Sequence, residues 1–361
     1  MSVAAPVAPR SLFRGREDAM AHSAALGLAG GGWLASFALM AAGSWIANLC
    51  AVLLCAQSMV LAAYLIHEAA HQTLFVSPRM NQIAGETMNF VAGGCYASFA
   101  RIMHMHIRHH VDRVDPICFD LKGLLQRRPA LRRTLQVLEW AYVPAVEILM
   151  HLQVVWRPFW VRSQHAHLPR VLAMLGLRGV LLAALWSFSP RAVALYAVAL
   201  LLQLHVLNFF DAFHHTFDQV LVEPHTPIPM DGRDRIYEQA NTYSNVISLG
   251  HPWLNLLVLN FGYHNAHHHR PSVSWWRLPA LHRKTYGADE GGLMPVAELL
   301  ATWHRNRLRR VFAADYGAPA GGAPVEGASV EGPSSGHASA AGAGRADGFV
   351  GAHGVSFLTV V

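Results

Sequence analysis

Charge is scarce in this chain. Of 361 residues only 14% are Asp, Glu, Lys or Arg, while 53% are hydrophobic. An ordinary soluble domain carries about 25% charged residues, so the shortage argues for a chain that crosses a membrane several times. Cysteine is scarce too. Cys50, Cys55, Cys95 and Cys118 form no C-x-x-C and no paired framework, which leaves them as buried apolar residues in a reduced setting. No strong secretory-leader pattern is expected from residues 1–22, which are polar with Arg10, Arg14 and Arg16; the apolar stretch that follows is too long for a typical leader and has no clear A-x-A site. There is no internal repeat. The net charge of +6 suits anionic lipid headgroups, and no nucleic-acid partner is expected.

Long apolar runs take the place of charge. Residues 24–42, 45–66, 171–188 and 192–210 each approach the roughly 20 residues needed to cross hydrocarbon. Gly43-Ser44 separates the first two and a turn around Ser187–Pro190 the last two, so they read as two hairpins. Arg178 interrupts the third run and is expected to snorkel to the interface. Only Arg191, of 28 Lys and Arg residues, lies at a proposed outer turn, and the loop 101–170 carries eleven of them. The positive-inside rule then puts the N-terminus and that loop in the cytoplasm, with Trp45 and Trp186 in an outer aromatic belt.

Two further apolar segments, 81–100 and 134–156, are expected to lie as interfacial or re-entrant helices. The second contains Glu139, Pro144, Glu147 and His151, poor material for a lipid-facing span. The expected fold is all-α and integral to the membrane: about four transmembrane helices in two hairpins, cytoplasmic interfacial helices and a cytoplasmic histidine-rich cap. Its divisions are a cytoplasmic segment 1–22, a membrane domain 23–316, and a Gly/Ala/Ser-rich tail 317–361. The tail is expected to be disordered and to contribute nothing to catalysis.

Histidine is the abundance, at 23 residues. "YLIHEAAHQ" holds His67, Glu68 and His71, the H-E-x-x-H spelling of a zinc metalloprotease. Downstream, "HMHIRHH" supplies His106, His109 and His110, with His104 as an extra. "DAFHHTFD" supplies Asp211, His214, His215 and Asp218, and "GYHNAHHHRP" supplies His264, His267, His268 and a spare His269. Residues three and four apart share a helix face, so each cluster can aim imidazoles at one centre. Eight or more imidazoles exceed what one tetrahedral zinc uses, and two metals sharing them is the economical account. Zinc has no redox chemistry, so the pattern favours iron and oxygen. The isolated His22, His151, His225, His282 and His337 read as core or interfacial residues.

The ordered motifs His-x-x-x-His, His-x-x-His-His and a distal His-x-x-His-His, separated by apolar hairpins, resemble the membrane fatty acid desaturase superfamily over roughly residues 45–285. The resemblance implies a non-haem di-iron centre that uses molecular oxygen and two electrons to dehydrogenate an acyl chain. Its ligands here would be His67 and His71, then His106, His109 and His110, then His264, His267 and His268. The superfamily also takes a ligand from the helix before the last box, and Asp211 with His215 has the matching spacing, making His215 a ninth ligand. That helical spacing turns His214 away, toward headgroups or a neighbouring helix. Glu68, Asp112, Asp115, Asp211 and Asn265 are candidates for orienting imidazoles through their second nitrogens.

Departures from the pattern set the alternatives. His104 offers a competing register, and His269 leaves the last box ambiguous by one residue. No H-P-G-G haem motif of a fused cytochrome is present, so electrons would come from a separate ferredoxin- or cytochrome-like donor with its reductase. The acyl substrate would come from membrane lipid, coenzyme A or a carrier protein. Arg127, Arg128, Arg132 and Arg133 could hold a phosphate of such a carrier, or serve only as the positive-inside signal. The same boxes serve hydroxylases, acetylenases and related lipid oxygenases. An intramembrane zinc metalloprotease would use only the first box and leave the others unexplained. A metal transporter would line a pathway with histidines, whereas these cluster at span ends and in loops.

Overall fold

The computed structural model describes residues 11–117, 119–217, 219–221, 232–287, 293–311, 313, 346 and 348–352. Cys118, Asp218, His225, His337, residues 1–10 and most of the 317–361 tail lie outside these residues. The chain is mostly helical, and four helices are long and apolar enough to cross a membrane. They are α1 (Arg16–Ala41), α2 (Trp45–Ala70), α8 (Leu168–Phe188, continued from a 3-10 turn at Arg162–His167) and α9 (Pro190–Ala212). Between the pairs run α3 (Pro78–Ala92), α4 (Phe99–Asp112), α5 (Leu121–Arg127), α6 (Pro129–Trp140) and α7 (Ala145–Trp160). After α9 come α10 (Arg235–Ala240), α11 (His264–His269), α12 (Leu278–Tyr286) and α13 (Val296–Asn306). Two short parallel pairs tie the loops: β1 (Asp115–Ile117) on β2 (Gln219–Leu221), and β3 (Ser244–Val246) on β4 (Leu293–Pro295).

The hub is α2. Its most apolar window is 72% buried, against 17% for α8, because α1, α3, α4 and α9 all pack on it. A helix apolar all round but little covered by protein, as α8 is, suits a lipid environment. The segment 134–156 is not one helix: Tyr142 adopts φ 58° and Pro144 follows, which ends α6 and restarts the chain as α7. Likewise 81–100 divides into α3 and α4. None of these pieces is long enough to cross a bilayer.

The structure corrects three expectations. Arg178 does not snorkel; it is buried, donating to Tyr196 Oη at 2.9 Å and to the Phe90 carbonyl, with its guanidinium over the Phe90 ring. With Gln203 on the Ala92 carbonyl (2.8 Å) and Arg170 on the Cys95 carbonyl (3.2 Å), it supplies side-chain donors to carbonyls at and just beyond the end of α3. Next, α1 begins at Arg16, so residues 16–22 are its first turns rather than a separate segment. Asp18 and His22 there accept from the indole N–H groups of Trp276 (3.0 Å) and Trp275 (3.2 Å). Finally, part of the tail is structured: Ala346 and Phe349–Ala352 are buried against the α9 end and α13.

Candidate metal centre

Each histidine box sits where a helix ends or where a short helix is wedged between loops. His67 closes the last full turn of α2 and His71 is its C-cap. On α4, Ser98 caps the N-terminus by accepting from the Arg101 N–H at 3.3 Å, and the helix presents His106, His109 and His110 on one stripe. The third box forms α11. Gly262 lets it approach β3 closely, since a Cβ there would stand 2.2 Å from the Asn245 carbonyl oxygen.

The side chains gather into two groups. His67, His71, His106, His110 and His267 bring one nitrogen each within 4.8 Å of one another, and so do His109, His215, His264 and His268. The division follows helix geometry. On α4 the i, i+4 pair His106/His110 serves the first group and His109 the second; on α11 the pair His264/His268 serves the second and His267 the first. The groups adjoin, with the His110 and His268 rings 4.2 Å apart.

The contacts within the groups are Nε2 to Nε2: His67–His267 3.0 Å, His267–His110 3.1 Å, His110–His106 3.2 Å and His106–His71 2.7 Å. An imidazole nitrogen offers one hydrogen or one lone pair, so it makes one hydrogen bond. A chain of five nitrogens therefore satisfies two of these four contacts at most. In the second group three of the four tautomers are fixed. His268 Nδ1 donates to Glu238 Oε1 at 2.9 Å, and His109 Nδ1 to the Val114 carbonyl at 2.8 Å. The Thr242 hydroxyl gives its proton to the Glu238 carbonyl (2.7 Å), so at 3.4 Å it is placed to accept from His215 Nδ1. Each Nε2 of these three then carries a lone pair. His109 and His268 turn theirs toward each other at 3.3 Å, a repulsive arrangement without a cation. Ligands about 2.0–2.1 Å from a metal at right to tetrahedral angles stand ~3 Å apart, which matches these spacings. The residues present fit two metal ions.

Burial favours the neutral imidazole, the form that ligation requires. His71 is pushed down to about 3 by burial, with His109 adding to the effect. Burial first, then neighbouring imidazoles, holds His106, His110, His215, His264, His267 and His268 well below the usual histidine range.

The remaining candidates divide. Asp115 lies 3.3 Å from His109 Nδ1. Asp112 pairs instead with Arg108 at 2.6 Å, and Asn265 bonds Ser244 and the Thr242 carbonyl, so both act on backbone placement rather than on an imidazole. Glu68 stands 3.6 Å from His67 Nδ1, too far to hydrogen-bond. Its Oε2 accepts from the Thr73 hydroxyl (2.6 Å) and the Trp275 amide (3.1 Å), latching α2 to the chain beyond the third box. The expected stripe through Asp211 and His215 also fails: α9 stops at Ala212, and His215 sits in an isolated bridge with Thr242. Of the two surroundings expected for His214, the neighbouring helix is the one found: it is buried and stacks on His264, the first residue of α11, at 4.1 Å. His104 is exposed, and His269 Nδ1 faces Arg235 at 3.2 Å.

Sequence reasoning missed Glu238, whose Oε2 also takes Arg113 Nε at 3.3 Å. Burial pushes its carboxyl up, and Arg113 opposes the shift. No spacing to a histidine advertises it, because it reaches the site from α10 across a loop.

Four helices long and apolar enough to cross a membrane stand beside two all-imidazole groups that could hold metal ions. The profile of the fatty acid desaturase family matches residues 42–298, and the chain belongs to that family. A sphingolipid delta(4)-desaturase of Candida albicans is 26% identical over 227 residues, 60% of this chain; the match spans 56% of that relative's length.

Proposed function

We propose that the chain is an oxygen-dependent di-iron desaturase that introduces a double bond into a long acyl chain, lipid-, coenzyme A- or carrier-linked. The observation that carries this reading is the adjacency of the two Nε2 groups, nine imidazoles with two foci. His67, His71, His106, His110 and His267 would hold one iron, and His109, His215, His264 and His268 the other. Bound iron would supply the activation of oxygen that side chains lack. The chain's own residues do the rest. Glu238, Thr242 and the Val114 carbonyl hold the Nδ1 protons of His268, His215 and His109, keeping those three Nε2 lone pairs turned inward. The surrounding core excludes bulk water.

In the net reaction two neighbouring C–H bonds break and a C=C bond forms. The two substrate hydrogens, molecular oxygen, and two electrons with two protons from the donor side leave together as two waters. A separate ferredoxin- or cytochrome-like partner with its reductase would deliver the electrons. The two helix pairs would form hairpins, with both imidazole groups on the cytoplasmic face. The relative's name supports a lipid with a long aliphatic chain as substrate.

Lipid profiling of a host fed saturated and monounsaturated chains tests the reading. A new alkene should appear and vanish in His268→Ala. A hydroxylated product without an alkene would move the assignment to the hydroxylase branch. Iron analysis adds a second arm: His215→Ala should lower bound iron and abolish activity, whereas His214→Gln should retain much of both.

A further inference from the structure

Among the nine imidazoles, His215 alone is carried neither by a helix nor by a helix cap. It lies three residues beyond the end of α9, and its group has four members where the other has five. Something must fix residues 212–216. On one side the Tyr243 amide donates to the His214 carbonyl at 2.8 Å and the Thr216 amide to the Asn241 carbonyl at 3.0 Å. On the other side stands the far end of the chain. The Ala352 amide donates to the Ala212 carbonyl at 2.8 Å. The Phe349 ring, fully buried, packs on Phe213 at 5.2 Å and on Tyr243 at 5.1 Å, touching both strands that grip His215. Gly351 adopts φ 83°, and a Cβ there would stand 2.8 Å from the Ala212 carbonyl oxygen. The segment is itself anchored: Thr302 Oγ1 donates to the Phe349 carbonyl at 2.6 Å, and Arg310 Nε to the Val350 carbonyl at 2.9 Å.

We propose that residues Phe349–Ala352 are a positioning element for His215, a brace that holds the α9 exit so that the second imidazole group keeps its fourth member. The proposal rests on the metal reading above. A backbone hydrogen bond and an aromatic contact within three residues of a metal-site histidine hold it to a fraction of an ångström, which is the tolerance such a site has. Phe349 and Gly351 touch neither metal-site nitrogen, so they act only through the backbone of Ala212 and Phe213.

The test uses the full chain purified in detergent. Bound iron is measured per chain, and amide hydrogen exchange at residues 213–216 is followed in metal-free protein. Phe349→Ala and Gly351→Ala should each lose about half of the wild-type iron, because one group fails while the other persists. Exchange at 213–216 should rise. Phe349→Leu, which keeps the bulk, should restore both readouts. Leu125→Ala, a matched cavity in the separate cluster around Phe119 and Val146, should leave both unchanged. Full iron in Phe349→Ala and Gly351→Ala overturns the proposal, even if exchange rises; the segment would then be a structural tie. If Phe349→Ala fails to fold, Gly351→Ala decides alone. A wild type that holds no iron sinks the metal reading instead, and the brace is then judged on exchange: unchanged protection in the variants overturns it.

Discussion

Three acceptors of different strength hold the Nδ1 protons of the second imidazole group: a carboxylate on His268, a hydroxyl by His215 and a carbonyl on His109. The carboxylate bond is charge-assisted and the strongest of the three. Replacing Glu238 by Gln keeps the shape but weakens the bond and leaves Arg113 without its partner charge. Glu238→Gln should cost ~10–100-fold in metal retention, read as iron remaining after dialysis against a chelator. At this scale the sequence was readable where helical spacing governs. His106/His110 and His264/His268 are i, i+4 pairs, and each pair does share a group. Spacing was uninformative where a loop intervenes. Asp112 looked as close to the histidines as Asp115, yet Arg108 one turn earlier captures it. Glu238 has no sequence neighbour to betray it.

Helices α6 and α7 illustrate what an element hides. Their apolar count resembles a span, but Tyr142 and Pro144 break it, and the two halves bury Glu139 and Glu147 against each other's chain. Burial raises Glu139 to about 7, opposed by a bond from the Val146 amide, and raises Glu147 to about 8, with Glu139 adding to the effect. Both raised values lie above the ordinary 4.5 of the unfolded chain. Between those values the folded protein holds protons that the unfolded chain has released, so stability falls as pH rises. The melting temperature in detergent should therefore decline from pH 5 to pH 9, and Glu147→Gln should flatten that decline. Pro144 marks the break in the sequence. The end of α9 carries no such mark: nothing in "NFFDAFHH" announces that the helix stops at Ala212, which is why a helical stripe through His215 was expected. The stop comes from distant partners, Thr242 and Ala352, that pull the chain out of helical geometry.

For the whole molecule, the four long helices were legible from hydropathy, because lipid leaves no alternative for a run of twenty apolar residues. Which faces pack was not legible: α2 and α8 are similarly apolar, yet one is the hub and the other the periphery. The proposed orientation has a direct check. With the exposed Cys50 first replaced by Ala, Ser187→Cys should react with an impermeant thiol reagent added outside intact cells. Ser248→Cys, near the third box, should react only after the membrane is opened. The His67–His267 contact joins residues 200 positions apart. At ~5–20 residues per second of synthesis, that gap lasts roughly 10–40 s. During the delay a nascent chain offers His67, His71, His106 and His110 without their fifth partner. Affinity at such nitrogen sites rises from iron toward copper and remains above iron for zinc, so the unfinished set favours the wrong metal. A chain stopped before His264 should accordingly purify with zinc or copper in place of iron, measurable by elemental analysis. Completion of the third box would then be a proofreading step for metal identity, since only His267 closes the first focus.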